Sequence, residues 1–363
     1  MNFITRLFKK EKTNLGFWAT LPKPLIVLAP MADVTDVSFR QMFAQYGRPD
    51  VTWTEFVSAD GLVRAPKDNS DETGLSSAGK LWKDLLYFEN ERPIVAQLFS
   101  GNPKYMEQAA YEVTKAGFDG IDINMGCPDK AIQRQHAGAF LIRDPKRATT
   151  IIDAVKKGIA RASKELHKEP IPVSVKTRIG FNTDTMEEWV THILKSKPAV
   201  LTLHARTRKE MSKVPAHWNR IKDAVALRDK LKSETLIFGN GDVLDLRDAF
   251  KKVQETGCDG VMVGRGIFGN PWFFADVQKI KSSPSDFIET EITPTQKLKA
   301  LIEHTFLFEK HLAHKNFALM KKHYKAYVHG FDGAKELRND LMDAKNGKEV
   351  EQIINTFLQN TNS

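Results

Sequence analysis

The sequence predicts an α/β protein: an eight-stranded parallel β/α (TIM) barrel followed by a smaller C-terminal helical domain. Three observations predict it. Eight short aliphatic and β-branched runs alternate with helix-like segments. Most of these runs are apolar throughout instead of alternating, as expected of parallel strands covered on both faces. Polar or small residues gather where each run ends.

In order, the runs are LIVLAPM from residue 25, VTWTEFV from 51, IVAQLF from 94, GIDINMG from 120, VSVKTR from 173, VLTLHAR from 200, LIFGNGD from 236 and GVMVGRG from 260. Their spacing suits βα units, and eight such units point to a closed barrel, with a doubly wound open sheet as the structural rival. After Pro271 the pattern changes. KSSPSDFIETEITP reads as a linker, and from about Thr293 the chain turns helical, with a core stripe at Leu298, Leu301, Ile302, Thr305, Phe306 and Phe308. The expected division is an N-terminal extension at 1–24, a barrel at 25–280, a linker at 281–292 and a helical domain at 293–363. The start, MNFITRLFKKEKTNLGFW, reads as a frayed basic extension, and KDNSDETGLSSAGK from 67 as a long exposed loop.

With 363 residues, 41% of them hydrophobic, the chain can bury a large core and carry a second domain. It has no run of about 18 apolar residues and no signal-like start, so it reads as neither secreted nor membrane-spanning. Two cysteines, Cys127 and Cys258, are too few for a disulfide framework or a Cys-rich metal site, which suits a reducing cytoplasm. The 54 Lys and Arg outnumber the 45 Asp and Glu, a net charge of +9 that favours a polyanionic partner.

In a barrel all strand ends meet at one mouth, where active sites are built. The ends here are Pro30-Met31-Ala32, Glu55, Gln97, Asn124 with Cys127, Lys176 with Arg178, His204 with Arg206, Asn240-Gly241-Asp242 and Gly264-Arg265-Gly266. The last two sets suit a phosphate: glycine lets the backbone approach closely, free amides point at oxygens, and Arg265 adds a fixed charge. Lys176 and His204 face the same mouth, and their structural alternatives are a carboxylate partner for Lys176 and a backbone partner for His204. In Asn124-Met125-Gly126-Cys127-Pro128, Gly126 allows a sharp turn and Pro128 stiffens the loop that presents the thiol. A thiol with a pKa near about 8.5 is mostly protonated at neutral pH and can act as a general acid. Cys258, before the eighth run, reads instead as a small buried hydrophobe.

These residues carry a resemblance. APMADVTDVSFR, EFVSADGL, INMGCP, KAIQRQHAGAFLIRDP, VKTRIGF, LHARTR, GNGDV and GVMVGRGIFGNPWFF follow in order, and HYKAYVHGFDGAKELRNDL lies near the C-terminus. Over roughly residues 25 to 345, the chain resembles the dihydrouridine synthase family of tRNA-modifying flavoenzymes. The resemblance implies a tightly bound FMN, reduced by NADPH, hydride transfer to carbon 6 of a uracil, and protonation of carbon 5 by a cysteine. By matching motif, Pro30, Met31, Ala32, Gln97, Asn124, Lys176, His204, Asn240, Gly241, Asp242, Gly264 and Arg265 would hold FMN, and Cys127 would be the acid. In such an enzyme Lys176 would stabilise the negative charge of the reduced ring. Asn124, Arg178 and Arg206 would meet the substrate. Lys322 and Lys325, in a stretch that also holds Lys310, Lys315 and Lys321, would track RNA, with Lys315, Lys322 and Lys325 on one helical side. The expected partner is tRNA, the expected state a cytoplasmic monomer off the membrane.

Two departures stand out. KEMSKVPAHW puts Met211-Ser212 near a position where many family members carry an aromatic, and Asp33 stands where a glycine is common. Two rivals remain: a barrel flavoenzyme acting on a free pyrimidine, for which a basic helical domain is superfluous, and a non-catalytic RNA-binding protein, which would not need Cys127, Lys176 and His204 together.

Overall fold

The computed structural model describes residues 13–65, 79–284 and 287–361. Its eight strands are β1 (Leu25–Leu28), β2 (Thr52–Ser58), β3 (Ile94–Phe99), β4 (Gly120–Met125), β5 (Val173–Arg178), β6 (Val200–His204), β7 (Leu236–Asn240) and β8 (Gly260–Val263). All pair in parallel in the order β1-β8-β7-β6-β5-β4-β3-β2. Backbone bonds from Leu28 N to Val51 O at 3.3 Å and from Asp50 N to Ile26 O at 3.0 Å bring β1 against the start of β2 and close the barrel. The strands are buried almost throughout, which accounts for their unbroken apolar character.

Helices begin just past the strand ends because polar caps stand there. Asp36 accepts from Phe39 N before Val37–Tyr46, Asn102 from Lys104 N before Pro103–Lys115, Asp144 from Arg147 N before Pro145–Leu166, and Asp245 from Asp248 N before Leu246–Thr256. These caps set where helices of the outer shell begin.

At the opposite end the structure corrects an expectation. The described part of the N-terminal segment is not frayed. Residues 16–19 form a 3₁₀ turn, and Trp18 is fully buried against Trp53, with ring centroids 5.7 Å apart, and edge-on to Phe238 at 5.6 Å. Together with Leu15, Phe17 and Leu21, it seals the floor of the barrel beneath Val27, Val95 and Met262. Apolar surface at an open barrel end gains more from this cover than the segment loses by being ordered. Residues 1–12 and nearly all of the stretch from 67 to 80 lie outside the described residues.

The C-terminal helices pack directly on the barrel. Thr293 and Gln296 form a reciprocal capping box that starts the helix Pro294–Leu312, which buries Leu298, Leu301, His304, Thr305 and Phe308. His304 stacks on Phe39 at 4.8 Å, and His323 meets the same ring edge-on at 5.2 Å. Burial holds both imidazoles well below their ordinary range, so they act as neutral aromatic packing. Gly269 makes the junction possible: a Cβ there would stand 1.9 Å from Ala326 O. In the stretch expected as a linker, the helix Val277–Ser282 reaches past residue 280 and Phe287 is buried.

Lys315, Lys322 and Lys325 do not share one helix face. Lys315 lies in the turn between the helix Pro294–Leu312 and the 3₁₀ helix Phe317–Met320 and points back to the barrel, where it pairs with Glu55 and Asp84, each at 2.9 Å. Lys322 donates to the Asp33 carbonyl at 2.7 Å, while Lys325 is exposed.

Candidate active site

A cavity of about 590 Å³ opens at the C-terminal ends of the strands. Pro30, Met31, Lys176, Arg178, His204, Arg206, Asn240, Gly241, Asp242, Gly264 and Arg265, all expected at the site, line it. That volume is within the usual range for a small-molecule or cofactor site. Ala32, Gln97, Asn124 and Cys127 stand outside its lining, and from the loop after β4 it is Pro128 that reaches it. Lys322 and Lys325 are not part of it.

Four cations and one carboxylate govern the electrostatics. Asp242 receives Arg206 Nη2 and Ala216 N on Oδ2 and Arg265 Nη2 on Oδ1, the last two at 2.9 and 2.8 Å. Burial alone would raise its pKa, but the bonds from Arg206 and Ala216 hold the carboxyl below its ordinary value. Arg206 is fully buried and also bonds Val214 O at 2.6 Å and His204 Nε2 at 3.2 Å. Arg178, also buried, donates to Gly126 O, Thr207 O and Met211 O at 2.8, 3.1 and 3.1 Å, tying the loop after β4 to the loop after β6. Arg178 and Arg206 therefore sit in the cavity wall and not on an exposed rim.

Lys176 has no carboxylate partner within bonding distance among the described residues; it donates to Asn240 Oδ1 at 3.1 Å. Burial first, then Arg178, brings its pKa down to about 8, against the pull of Asp122 and Cys127. His204 is held well below its ordinary value by burial and by Arg178, Lys176, Arg206 and Arg265, so it is a neutral imidazole. Next to it Gly241 has φ +126°, and a Cβ there would meet His204 Cδ2 at 3.1 Å. The turn after β7 can take this path only because the residue is glycine.

The loop after β4 is built around Asn124. Its Oδ1 accepts from Gly126 N at 3.1 Å and from Cys127 N at 2.9 Å, and Cys127 O accepts from Ala139 N at 3.0 Å. Burial pushes the Cys127 thiol up from its ordinary range, against the Asp129 backbone N–H and the charges of Arg178 and Lys176. The thiol is therefore protonated at neutral pH. Cys258, by contrast, is buried and donates to Gly260 O at 3.2 Å, a core cysteine.

The two departing segments have local explanations. Asp33 has φ +51°, the left-handed region where glycine is at ease and Asp is better tolerated than most residues. Glu55 accepts from its N–H at 2.5 Å, and Lys322 holds its carbonyl. Met211 has φ +54°, offers its carbonyl to Arg178, and lines the cavity with Ser212.

Sequence reasoning missed Asp122. It is fully buried inside the barrel, where Oδ1 accepts from Ser174 Oγ at 2.6 Å and Oδ2 from Gln97 Nε2 at 2.5 Å. Burial pushes its carboxyl up to about 6, and the bonds from Ser174 and Gln97 restrain the rise. The signal was present in GIDINMG, a charged residue flanked by isoleucines in the middle of a buried strand.

Comparison with known proteins places this architecture. Two larger solved structures, histamine dehydrogenase from Rhizobium sp. 4-9 and a 2-naphthoyl-CoA reductase complex, share the fold alone. Their TM-scores are 0.50 and 0.51, at 12% and 11% identity. The matches cover 78% and 70% of this chain but only 48% and 50% of those chains, so it spans about half their length. Closer in sequence, "Probable tRNA-dihydrouridine synthase 2" of Bacillus subtilis (strain 168) is 38% identical over 94% of this chain and 96% of its own. "Probable tRNA-dihydrouridine synthase" of Staphylococcus epidermidis (strain RP62A) is 36% identical over 94% of this chain and 96% of its own. The family model described as "Dihydrouridine synthase (Dus)" matches residues 27–362. With nearly its whole length matched, the chain belongs to the dihydrouridine synthase family.

Proposed function

We propose that this chain reduces uridines in tRNA to 5,6-dihydrouridine, with FMN in the cavity at the barrel mouth and Cys127 as proton donor. The observation that carries the reading is a cavity walled by Lys176, Arg178, Arg206 and Arg265 with a single carboxylate, Asp242, beside a loop that presents a protonated thiol. Such a wall fits a phosphorylated, anionic group. Gly264 adds to the fit, since a Cβ there would reach to 3.7 Å from Met31 Sδ, another lining residue. Gly264, Arg265, Asn240, Gly241 and Asp242 would hold the phosphate end, and Pro30, Met31, Ala32, Gln97, Asn124, Lys176 and His204 the ring system.

FMN, when bound, supplies the hydride that reaches carbon 6 of the uracil. Cys127 gives its proton to carbon 5, which its raised pKa permits at neutral pH. Lys176 supplies positive charge beside the cofactor, and neutral His204 adds a hydrogen-bonding group. Arg178, Arg206 and Asn124 would meet the uracil. Lys322 and Lys325 lie on the face that would approach the RNA backbone. NADPH is the electron donor in this reading, as the resemblance implies, and the protein works as a cytoplasmic monomer.

Incubating the purified protein with NADPH and tRNA from a strain lacking dihydrouridine, followed by nucleoside mass spectrometry, tests the proposal. Dihydrouridine in tRNA, with free uracil unreduced, is the expected result. Flavin-loaded protein that leaves such tRNA unchanged would overturn it.

A further inference from the structure

A directional chain of hydrogen bonds runs from the barrel interior to the loop of the thiol. Asp122 Oδ2 accepts from Gln97 Nε2 at 2.5 Å, Gln97 Oε1 accepts from Asn124 Nδ2 at 3.1 Å, and Asn124 Oδ1 accepts from Cys127 N at 2.9 Å. Each end has a fixed sense. A carboxylate only accepts and a backbone N–H only donates. An amide can turn either way, but two amides between an acceptor at one end and a donor at the other have a single consistent arrangement. Gln97 must give its NH₂ to Asp122, Asn124 must give its NH₂ to Gln97, and Asn124 oxygen is then the atom facing Gly126 N and Cys127 N.

We infer that Asp122 is a positioning residue: its carboxylate sets the polarity of Gln97 and Asn124, and through them the conformation of the loop that presents Cys127. Asp122 itself is buried behind these side chains and is absent from the cavity lining. Ser174 Oγ donates to its other oxygen at 2.6 Å, so both oxygens are engaged inside the barrel. The chain also decides which atoms are left to offer the cofactor: one N–H and one lone pair of Gln97, and one N–H of Asn124, whose oxygen already accepts from Gly126 N and Cys127 N. The inference rests on the proposed role of Cys127 only for its catalytic consequence; the loop geometry stands without it.

Asp122→Asn keeps shape and loosens the sense at one end, because its amide can accept from Gln97 Nε2 as the carboxylate does or donate to Gln97 Oε1 and admit the arrangement in which both downstream amides invert. Inversion would set Asn124 NH₂ against the N–H groups of Gly126 and Cys127 and release the loop. In the full-length protein as purified, alkylation of Cys127 by iodoacetamide, located by peptide mass spectrometry, should then quicken roughly three- to tenfold, the scale of one net hydrogen bond lost. With tRNA, kcat should fall while KM for tRNA stays.

The double variant Asp122→Asn/Gln97→Glu moves the acceptor one step along the chain. The carboxylate introduced at position 97 would accept from the amide introduced at position 122 and from Asn124, restoring the sense at Asn124, and the alkylation rate should return toward wild type. Ser174→Ala, which removes the other bond to the same carboxylate, should leave it unchanged. Wild-type alkylation in the single variant, no recovery in the double, or an equal acceleration in Ser174→Ala overturns the inference. Deuterium exchange of the wild-type protein gives a test free of any variant. The Gly126 and Cys127 amides should be protected, and exchange as fast as an open loop also overturns it. The alkylation and exchange measurements need neither RNA nor turnover, so they stand apart from failure of the uridine-reducing reading.

Discussion

Lys322, on a short helix of the C-terminal domain, donates from Nζ to the Asp33 carbonyl at 2.7 Å and so holds the turn after β1, two residues from the cavity-lining Met31. Lys325, one turn along, is exposed. The two lysines should therefore behave differently. Lys325→Ala should leave the melting temperature unchanged and, if it meets a phosphate, reduce the slope of log K against log salt for tRNA by about 0.7–0.9. Lys322→Ala should lower stability as well as RNA affinity. A wild-type salt slope in the combined Lys322→Ala/Lys325→Ala variant would move the RNA surface off this helix.

Cys127→Ala should retain flavin and still accept electrons from NADPH, yet fail to form dihydrouridine. Its side chain lies outside the cavity lining and, in the proposed reaction, carries only the proton. Stopped-flow bleaching of the flavin, compared with nucleoside analysis of the product, separates the two half-reactions. Loss of flavin, or turnover near wild type, would refute the assignment.

Arg265→Ala should purify pale. The guanidinium is largely solvent-exposed and bonds Asp242 at 2.8 Å, so its loss removes the proposed phosphate partner and leaves Asp242 with one cation fewer. A charge-assisted contact of this kind is worth about 1.5–3 kcal/mol, or roughly ten- to a hundredfold in affinity. Unchanged FMN affinity in a fluorescence titration would make Arg265 a structural partner of Asp242 alone.

Lys176 gives a pH dependence with a definite sign. Its folded-state pKa, about 8, lies below the ordinary 10.5, so the fold favours the neutral amine. The stabilising contribution is full above about 10.5 and is lost as pH falls through about 8. Lys176→Met should therefore be more stable than wild type near neutral pH, by at most about 3 kcal/mol, and should lose that advantage by about pH 10. Flavin affinity should fall in the same variant. Urea melts at the two pH values check it, and a constant difference between them would count against a buried cation.

Trp18→Ala should destabilise the protein by about 3–5 kcal/mol, since it empties the barrel floor beneath Trp53 and Phe238. The mouth lies at the other end, so flavin content of the folded fraction should hold. A change within about 0.5 kcal/mol would mean that the floor closes without it.

The order of strands and the residues at their ends were legible in the sequence because both are local properties. A strand buried on two faces must be apolar along its length, and a polar residue at its C-terminal end in a parallel barrel can only arrive at the mouth. That logic located Lys176, Arg178, His204, Asn240, Asp242 and Arg265, all of which line one cavity. Tertiary structure alone decided where isolated residues find distant partners. Phe17 and Trp18 sit in a short segment with no strand or helix periodicity, and only the closed barrel supplies Trp53 and Phe238 to bury Trp18. Lys315 looks like one more surface cation until the helical domain docks and brings Glu55 and Asp84 to 2.9 Å. The sense of the Asp122, Gln97 and Asn124 chain arises from three side chains on two adjacent strands, and no local pattern encodes it. Periodicity reports which face a residue occupies; the pairing of one buried polar atom with another depends on the three-dimensional register of the strands that carry them.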